Sequence, residues 1–137
     1  MKAEICQLRE DLAGCYVSRL ITCEAGRAQY AISEGHHSGY MPDLVLRPES
    51  AGEVQQVVRR ARQLAVPVVP FGAGTSLEGN AAAVECGLCI DLSGMKRVVE
   101  VSREDLLCVV EPGVTHEQLN VDLRPTGLFF PVDADKL

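Results

Sequence analysis

The sequence predicts an α/β fold that passes into α+β, with a mixed sheet. Three observations support this prediction. Residues 44–71 read as strand, capped helix and strand. A glycine-rich loop follows directly, and three short apolar runs separated by brief turns come after it. The length of 137 residues and the 47% hydrophobic content suit one domain with a core.

The first forty residues predict one helix and then a surface segment. Residues 3–15 have the apolar spacing of a helix. One face of this helix carries Ile5, Leu8, Leu12 and Cys15. Residues 16–41 show no clean period, so we assign them to the surface.

A βαβ unit begins with the apolar run 44–46, which lies between two prolines and predicts a buried strand. Ser50 and Glu53 have the spacing of a capping box, which places a helix start at Ser50. The apolar face of that helix comprises Val54, Val57, Val58, Ala61 and Leu64. Residues 66–71 form the second strand, and such a unit favours a parallel pair.

Three further strands are predicted at 88–92, 97–101 and 106–111. Because their connections are short, we expect these strands to be antiparallel neighbours. Pro112-Gly113 ends the last of them.

A last helix starts at a second capping box, formed by Thr115 and Gln118. Leu119 and Leu123 share its apolar face. Pro125 and Gly127 then end the helix and permit an exit turn.

Composition excludes several classes of protein. The net charge is −6, so the basic footprint of a nucleic-acid binder is absent, and with no tryptophan, three phenylalanines and three tyrosines the residues for base stacking are few. No run approaches the ~20 apolar residues of a membrane span. The N-terminus mixes charged and apolar residues, unlike a secretory signal, and we therefore expect a cytoplasmic protein.

The cysteines and histidines offer weaker candidates for chemistry. Cys86 and Cys89 form a lone CxxC, which could be half a zinc site or a redox pair. We interpret it as structural, because there is no second CxxC and Cys89 falls in a strand. The adjacent pair His36-His37 could bind a metal, but a solvated loop is the preferred interpretation.

The informative site is the loop 72–80, rich in glycine, threonine and serine. A diphosphate needs several backbone N–H groups at close range, and glycine permits this approach because it has no Cβ. The hydroxyls of Thr75 and Ser76 add donors. The alternative is a glycine-rich turn that binds nothing.

Two common nucleotide loops do not fit this segment. A Walker A loop requires lysine after glycine, and none is present. A Rossmann fingerprint requires a third glycine where Leu77 stands, and a long helix where residues 80–85 lead quickly to a strand. The loop is therefore predicted to hold phosphate through its own amides.

Four ordered motifs resemble the flavoproteins of the vanillyl-alcohol-oxidase type, which share the PCMH FAD fold. The loop motif VVPFGAGTSLEG at 68–79 is the most specific, and the match is nearest to the D-lactate dehydrogenase and glycolate oxidase branch. Residues 40–50 resemble the first strand of that fold, 109–114 its second flavin turn, and 127–133 the approach to a third. The resemblance covers about residues 20–133.

This resemblance implies an FAD cofactor and a set of contact residues. The residues implied to contact or adjoin FAD are Pro70, Phe71, Gly72, Ala73, Gly74, Thr75, Ser76, Gly79, Asn80, Pro112, Gly113, Pro131 and Asp133. Some relatives attach flavin through a histidine at the position of Thr75, and threonine cannot form that bond. Non-covalent FAD is therefore expected.

The sequence departs from the family after Asp133, where relatives continue into a second flavin segment and a substrate domain. We therefore divide the chain into a segment 1–41 and an incomplete FAD-binding domain 42–137. The implied parent reaction is oxidation of a D-2-hydroxy acid, with no catalytic residue, metal ligand or independent turnover expected in this chain.

The alternative is a non-catalytic FAD-fold module that needs a partner chain or binds no flavin. A separate chain could supply the missing half. The apolar residues 128–130 could be the surface for such a partner, or ordinary core.

Overall fold

A computed structural model describes residues 2–31, 39–75 and 79–131. The chain divides into an N-terminal unit, residues 1–94, and a C-terminal unit, residues 95–137. The elements of the N-terminal unit are α1 (Ala3–Ala13), β1 (Leu20–Ile21), α2 (Glu24–Ala28), β2 (Leu44–Leu46), α3 (Ala51–Gln63), β3 (Val68–Phe71) and β4 (Leu88–Asp91). Those of the C-terminal unit are β5 (Val98–Ser102), β6 (Leu107–Val110), α4 (His116–Leu123) and a 3-10 turn (Arg124–Thr126).

The N-terminal unit contains a four-stranded sheet in the order β1-β2-β4-β3. β1 is antiparallel to β2, whereas β4 is parallel to both of its neighbours, β2 and β3. The mixed sheet is therefore confirmed. β2 and β3 run parallel as predicted, but β4 lies between them.

The prediction that strand 88–92 is an antiparallel neighbour of the next two strands is wrong. Residues 88–91 form β4, and all four are buried. A central strand of a parallel sheet is covered on both faces, which explains its unbroken apolar run. The expectation was correct for β5 and β6, which pair antiparallel, with a bulge between Val98 and Glu100.

One face of the four-stranded sheet carries the main core. Alternation along β2 and β4 points Leu44, Leu46, Leu88 and Ile90 to this face. Helices α1 and α3 cover it, contributing Ile5, Leu8, Leu12, Val57 and Ala61. Val58, predicted on the apolar face of α3, is 40% exposed, so the buried stripe is narrower than the sequence pattern.

The opposite face is covered by residues from the segment 16–41, which the sequence analysis assigned to the surface, so that assignment is wrong for Tyr30. Val45 and Cys89 point to this face, and the buried Tyr30 packs on them. Tyr30 follows α2, a five-residue helix that sequence reasoning missed, as it missed the two-residue strand β1. Elements this short show no detectable periodicity.

Both predicted helix starts are present, but each capping box is only half formed. The hydroxyl of Ser50 accepts a bond from Glu53 N at 3.3 Å, and Thr115 does the same for Gln118 N. The Glu53 carboxylate binds Glu49 N and Arg19 instead of reaching back to Ser50. The Gln118 amide donates to the carbonyl of Lys96.

Candidate functional site

The candidate loop leaves the carboxyl edge of the parallel strands. Phe71 is the last residue of β3, and Gly72 follows it directly. In open α/β sheets ligands bind beyond the carboxyl ends of the strands, because the loops there converge and leave a crevice. The topology therefore puts the glycine-rich segment at an edge suited to a ligand.

Residues 72–75 form an exposed to half-buried turn. Gly74 has a φ of +76°, which L side chains rarely adopt. The ring of Phe71 lies next to it, because a Cβ added to Gly74 would meet Phe71 Cζ at 2.8 Å. Gly72 differs, since a Cβ added there would meet no atom within 4 Å.

The backbone of this turn suits an anion. Among the described residues, none accepts a hydrogen bond from the backbone N–H groups of residues 72–75. Successive amides near a positive-φ glycine can form an anion-binding nest. The open side of Gly72 would let a phosphate approach closely. The residues present therefore fit a diphosphate.

The remaining loop residues are only partly described. Pro70 and Thr75 are exposed, as is Asn80. Gly79 has a φ of +75° and its carbonyl accepts from Ala82 N at 2.9 Å, which starts a turn. Ser76 lies outside the described residues.

Next to the loop, a polar cluster occupies the Tyr30 face of the sheet. Tyr30 Oη donates to Asp91 Oδ2 at 2.7 Å, and Arg47 Nε donates to the same oxygen at 3.0 Å. Arg47 Nη2 also donates to Tyr30 Oη at 2.8 Å. Arg47 and Asp91 come from the carboxyl ends of β2 and β4.

Asp91 is the one buried charged residue of the core in the described parts of the chain, at 3% exposure. Burial raises the pKa of its carboxyl, but hydrogen bonds from Ser93, Tyr30 and Arg47 outweigh burial and hold the pKa below its ordinary value. Burial, followed by the bond to Asp91, raises the pKa of Tyr30. Asp91 is thus a buried carboxylate, balanced by a half-exposed guanidinium.

Sequence reasoning did not select any of these three residues. Arg47 and Asp91 each follow an apolar strand run directly, and a charge at that position was an available signal. Tyr30 carries no such signal, because its segment has no clear periodicity.

In the C-terminal unit, the turn at Pro112 and Gly113 is held at the base of the β5–β6 hairpin. Gly113 N donates to the carbonyl of Met95 at 2.8 Å. Arg97 Nη2 and Glu111 Oε1 form an ion pair at 2.6 Å just before the turn. The backbone of this predicted second flavin turn is therefore well anchored.

The segment predicted to approach a third flavin contact, residues 127–133, is held by the side chain of Asn120 on α4. Asn120 Oδ1 accepts from Phe130 N at 2.7 Å, and Asn120 Nδ2 donates to Phe130 O at 3.1 Å. His116 Nε2 also lies 3.0 Å from that carbonyl. Pro131 follows and is exposed, whereas Asp133 lies outside the described residues.

An apolar groove of about 340 Å³ lies within the C-terminal unit. Its lining includes Leu107, Cys108, Leu123 and residues 128–131. Phe129 is 75% exposed, so it is not core within this unit.

The cysteines and the weaker metal candidates add no site in the described residues. All six cysteines are described and are free thiols. Cys86 is exposed and Cys89 is buried. No group of three or more metal-binding side chains occurs in the described ranges, and His36 and His37 lie outside them. Nor does any described helix have the length and apolar character needed to cross a membrane.

The fold and the family match together define an FAD-binding domain of the PCMH type. The chain belongs to the FAD binding domain family, whose sequence pattern matches residues 42–137. This finding confirms the family resemblance predicted from the loop and its neighbouring motifs.

Its relatives include 2-hydroxy-acid oxidoreductases. The chain is 43% identical over 109 residues to a probable mitochondrial D-lactate dehydrogenase of Danio rerio, covering 80% of this chain and 22% of the relative. It is 31% identical over 113 residues to glycolate oxidase subunit GlcD of Bacillus subtilis, covering 82% and 24%. The chain thus spans less than a quarter of the length of these relatives.

Solved structures show the same fold. p-Cresol methylhydroxylase matches with a TM-score of 0.81 and 19% identity, over 93% of this chain and 26% of that chain. 4-Ethylphenol oxidase from Gulosibacter chungangensis matches with a TM-score of 0.80 and 25% identity, over the same shares. The chain therefore shares the fold of these proteins.

Proposed function

We propose that residues 72–76, with Pro70, Phe71, Gly79 and Asn80 beside them, bind the diphosphate of FAD without a covalent bond. The turn at 72–75 carries the proposal. Its N–H groups donate to no described partner, its Gly72 face is open, and it stands at the carboxyl edge of the parallel strands. Pro112, Gly113, Pro131 and Asp133 are proposed as further flavin contacts, on the family resemblance alone.

We further propose that the domain serves the oxidation of a D-2-hydroxy acid of the lactate or glycolate type. The relatives named as D-lactate dehydrogenase and glycolate oxidase support this assignment. The chemistry that bound FAD supplies is acceptance of a hydride from the substrate carbon. The residues of this chain bind and orient the cofactor, and turnover requires the further parts of the relatives, on the same chain or a separate one.

The experiment titrates the chain with FAD, following flavin fluorescence and thermal unfolding together. Saturable quenching with a raised melting temperature is expected, since a ligand of the folded state stabilises that state. ADP should compete with FAD, because it also carries a diphosphate, whereas riboflavin, which lacks the diphosphate, should compete far less. Acid precipitation should release all the flavin if binding is non-covalent.

Two glycine variants sharpen the test. Gly72→Ala adds a methyl group on the open side, so FAD affinity should fall about tenfold while the melting temperature of the free chain stays unchanged. Gly14→Ala is the matched control, because Gly14 also has open space and a helical φ of −69°. Equal FAD affinity in the Gly72 variant and the control would show that the diphosphate binds elsewhere.

A second experiment tests whether the chain turns over substrate. The FAD-loaded chain is mixed with D-lactate or glycolate in the absence of oxygen, and the visible absorbance of flavin is followed. No bleaching is expected from this chain alone. Bleaching by either acid would contradict the proposal that further parts are required.

A further inference from the structure

Tyr30 is connected to the loop through Phe71, whose ring lies between Tyr30 and Gly74. Its ring meets the ring of Phe71 edge to face, with centroids 4.9 Å apart and planes at 70°. Phe71 packs on the cluster of Tyr30, Val45 and Cys89. It also adjoins the loop, because a Cβ added to Gly74 would meet Phe71 Cζ at 2.8 Å. A shift of the Phe71 ring would therefore displace the turn at 72–75.

The orientation of Tyr30 is held from its far end. Its hydroxyl donates to Asp91 and accepts from Arg47, two residues at the carboxyl ends of neighbouring strands. An aromatic side chain with both ring and hydroxyl bound keeps one rotamer. The sheet thereby fixes the Tyr30 ring, and this ring in turn limits the movement of Phe71.

We propose that Tyr30 is a positioning residue, which holds the loop 72–75 in its diphosphate-binding shape through Phe71. This inference rests on the proposed function of the loop and deepens it. Tyr30 is 6% exposed and acts without touching the ligand. A pre-shaped loop loses less conformational freedom on binding, so a loosened loop binds FAD more weakly even when the chain is fully folded.

The experiment compares Tyr30→Phe and Tyr30→Leu with Tyr16→Phe and Tyr16→Leu. Tyr16 is the matched control, because it is equally buried at 7% but belongs to the core on the other face of the sheet. FAD affinity and the melting temperature of the free chain are measured for each variant. We expect the dissociation constant to rise about threefold for Tyr30→Phe, which keeps the ring, and about tenfold for Tyr30→Leu. The Tyr16 variants should lower the melting temperature without changing FAD affinity at temperatures where they are folded.

A double variant tests the route through Phe71. If Tyr30 acts on the loop only through that ring, Tyr30→Leu combined with Phe71→Leu should weaken FAD binding little more than Phe71→Leu alone. Additive losses would overturn this route. ADP affinity should follow FAD affinity in every variant, because the two ligands share the diphosphate.

The outcomes separate the two proposals. If the unsubstituted chain binds no FAD, the proposed function fails and the positioning role fails with it. If it binds FAD and the folded Tyr30 variants bind equally well, only the positioning role is overturned. The positioning role is also overturned if the loss of FAD affinity in the Tyr30 variants is fully explained by the fraction of unfolded chain, because Tyr30 would then act only as a core residue.

Discussion

The hydroxyl of Tyr30 and the carboxylate of Asp91, 61 residues apart in the chain, lie 2.7 Å from each other in a buried hydrogen bond. This bond lies on the Tyr30 face of the sheet, at the carboxyl edge where the candidate loop begins. The same carboxylate binds Ser93 N at 2.9 Å and Arg47 at 3.0 Å. Asp91 therefore organises the base of the proposed site without belonging to the loop.

Asp91→Asn should lower the free energy of unfolding by about 1–3 kcal/mol, because a buried charge-assisted network loses its acceptor charge. Chemical denaturation at neutral pH measures this change. Asp122→Asn is the control, since Asp122 is exposed on α4. Equal stability of the Asp91 variant and the control would show that the network contributes nothing.

Asp91 should also give the stability a dependence on acidity. Its pKa is lowered in the folded state, so the folded state binds fewer protons than the unfolded state. The stabilisation is complete above the ordinary aspartate value of about 3.9 and is lost as the pH falls through the lowered folded value. Denaturation at several pH values should show a smaller acid loss in Asp91→Asn than in the unsubstituted chain.

Gly87→Ala should destabilise the sheet, with a loss of about 1–3 kcal/mol from backbone strain and more from the clash. Gly87 has a φ of +82°, and a Cβ there would collide with the carbonyl oxygen of Pro67. That carbonyl also accepts from Leu88 N at 2.9 Å, which starts the β3–β4 ladder. Thermal unfolding measures the change, with Gly94→Ala as control because its Cβ would meet open space.

The cysteines should react at very different rates with an alkylating reagent. Burial raises the pKa of the Cys89 thiol to about 12, so the reactive thiolate is scarce at neutral pH. Cys15, Cys23 and Cys86 are exposed. Mass spectrometry of the native chain should find these three modified first, and Cys89 modified only after unfolding. Rapid modification of native Cys89 would contradict its placement in the core.

Leu88→Ala should cost about 2–5 kcal/mol of stability, because Leu88 is fully buried on an interior strand of the sheet. Leu107→Ala is the matched substitution on β6, where the side chain is 52% exposed, and we expect less than about 1 kcal/mol there. Urea denaturation of both variants gives the comparison. Similar losses would mean that the exposed β6 side chain is buried in solution.

The sequence by itself determined the family, the glycine-rich loop and the elements with clear patterns. Two serine or threonine caps located α3 and α4, since a cap is a local interaction between residues three apart. The loop was visible because closely spaced glycines mark a backbone that must approach a ligand.

Only the tertiary structure decided the strand order and the cluster at the loop base. β4 inserts between β2 and β3, a pairing between residues distant in the chain that apolar runs do not specify. The Tyr30, Arg47 and Asp91 cluster joins three separate segments, and Tyr30 sits where no periodicity exists. Local patterns record local interactions, whereas a buried network depends on which strands become neighbours.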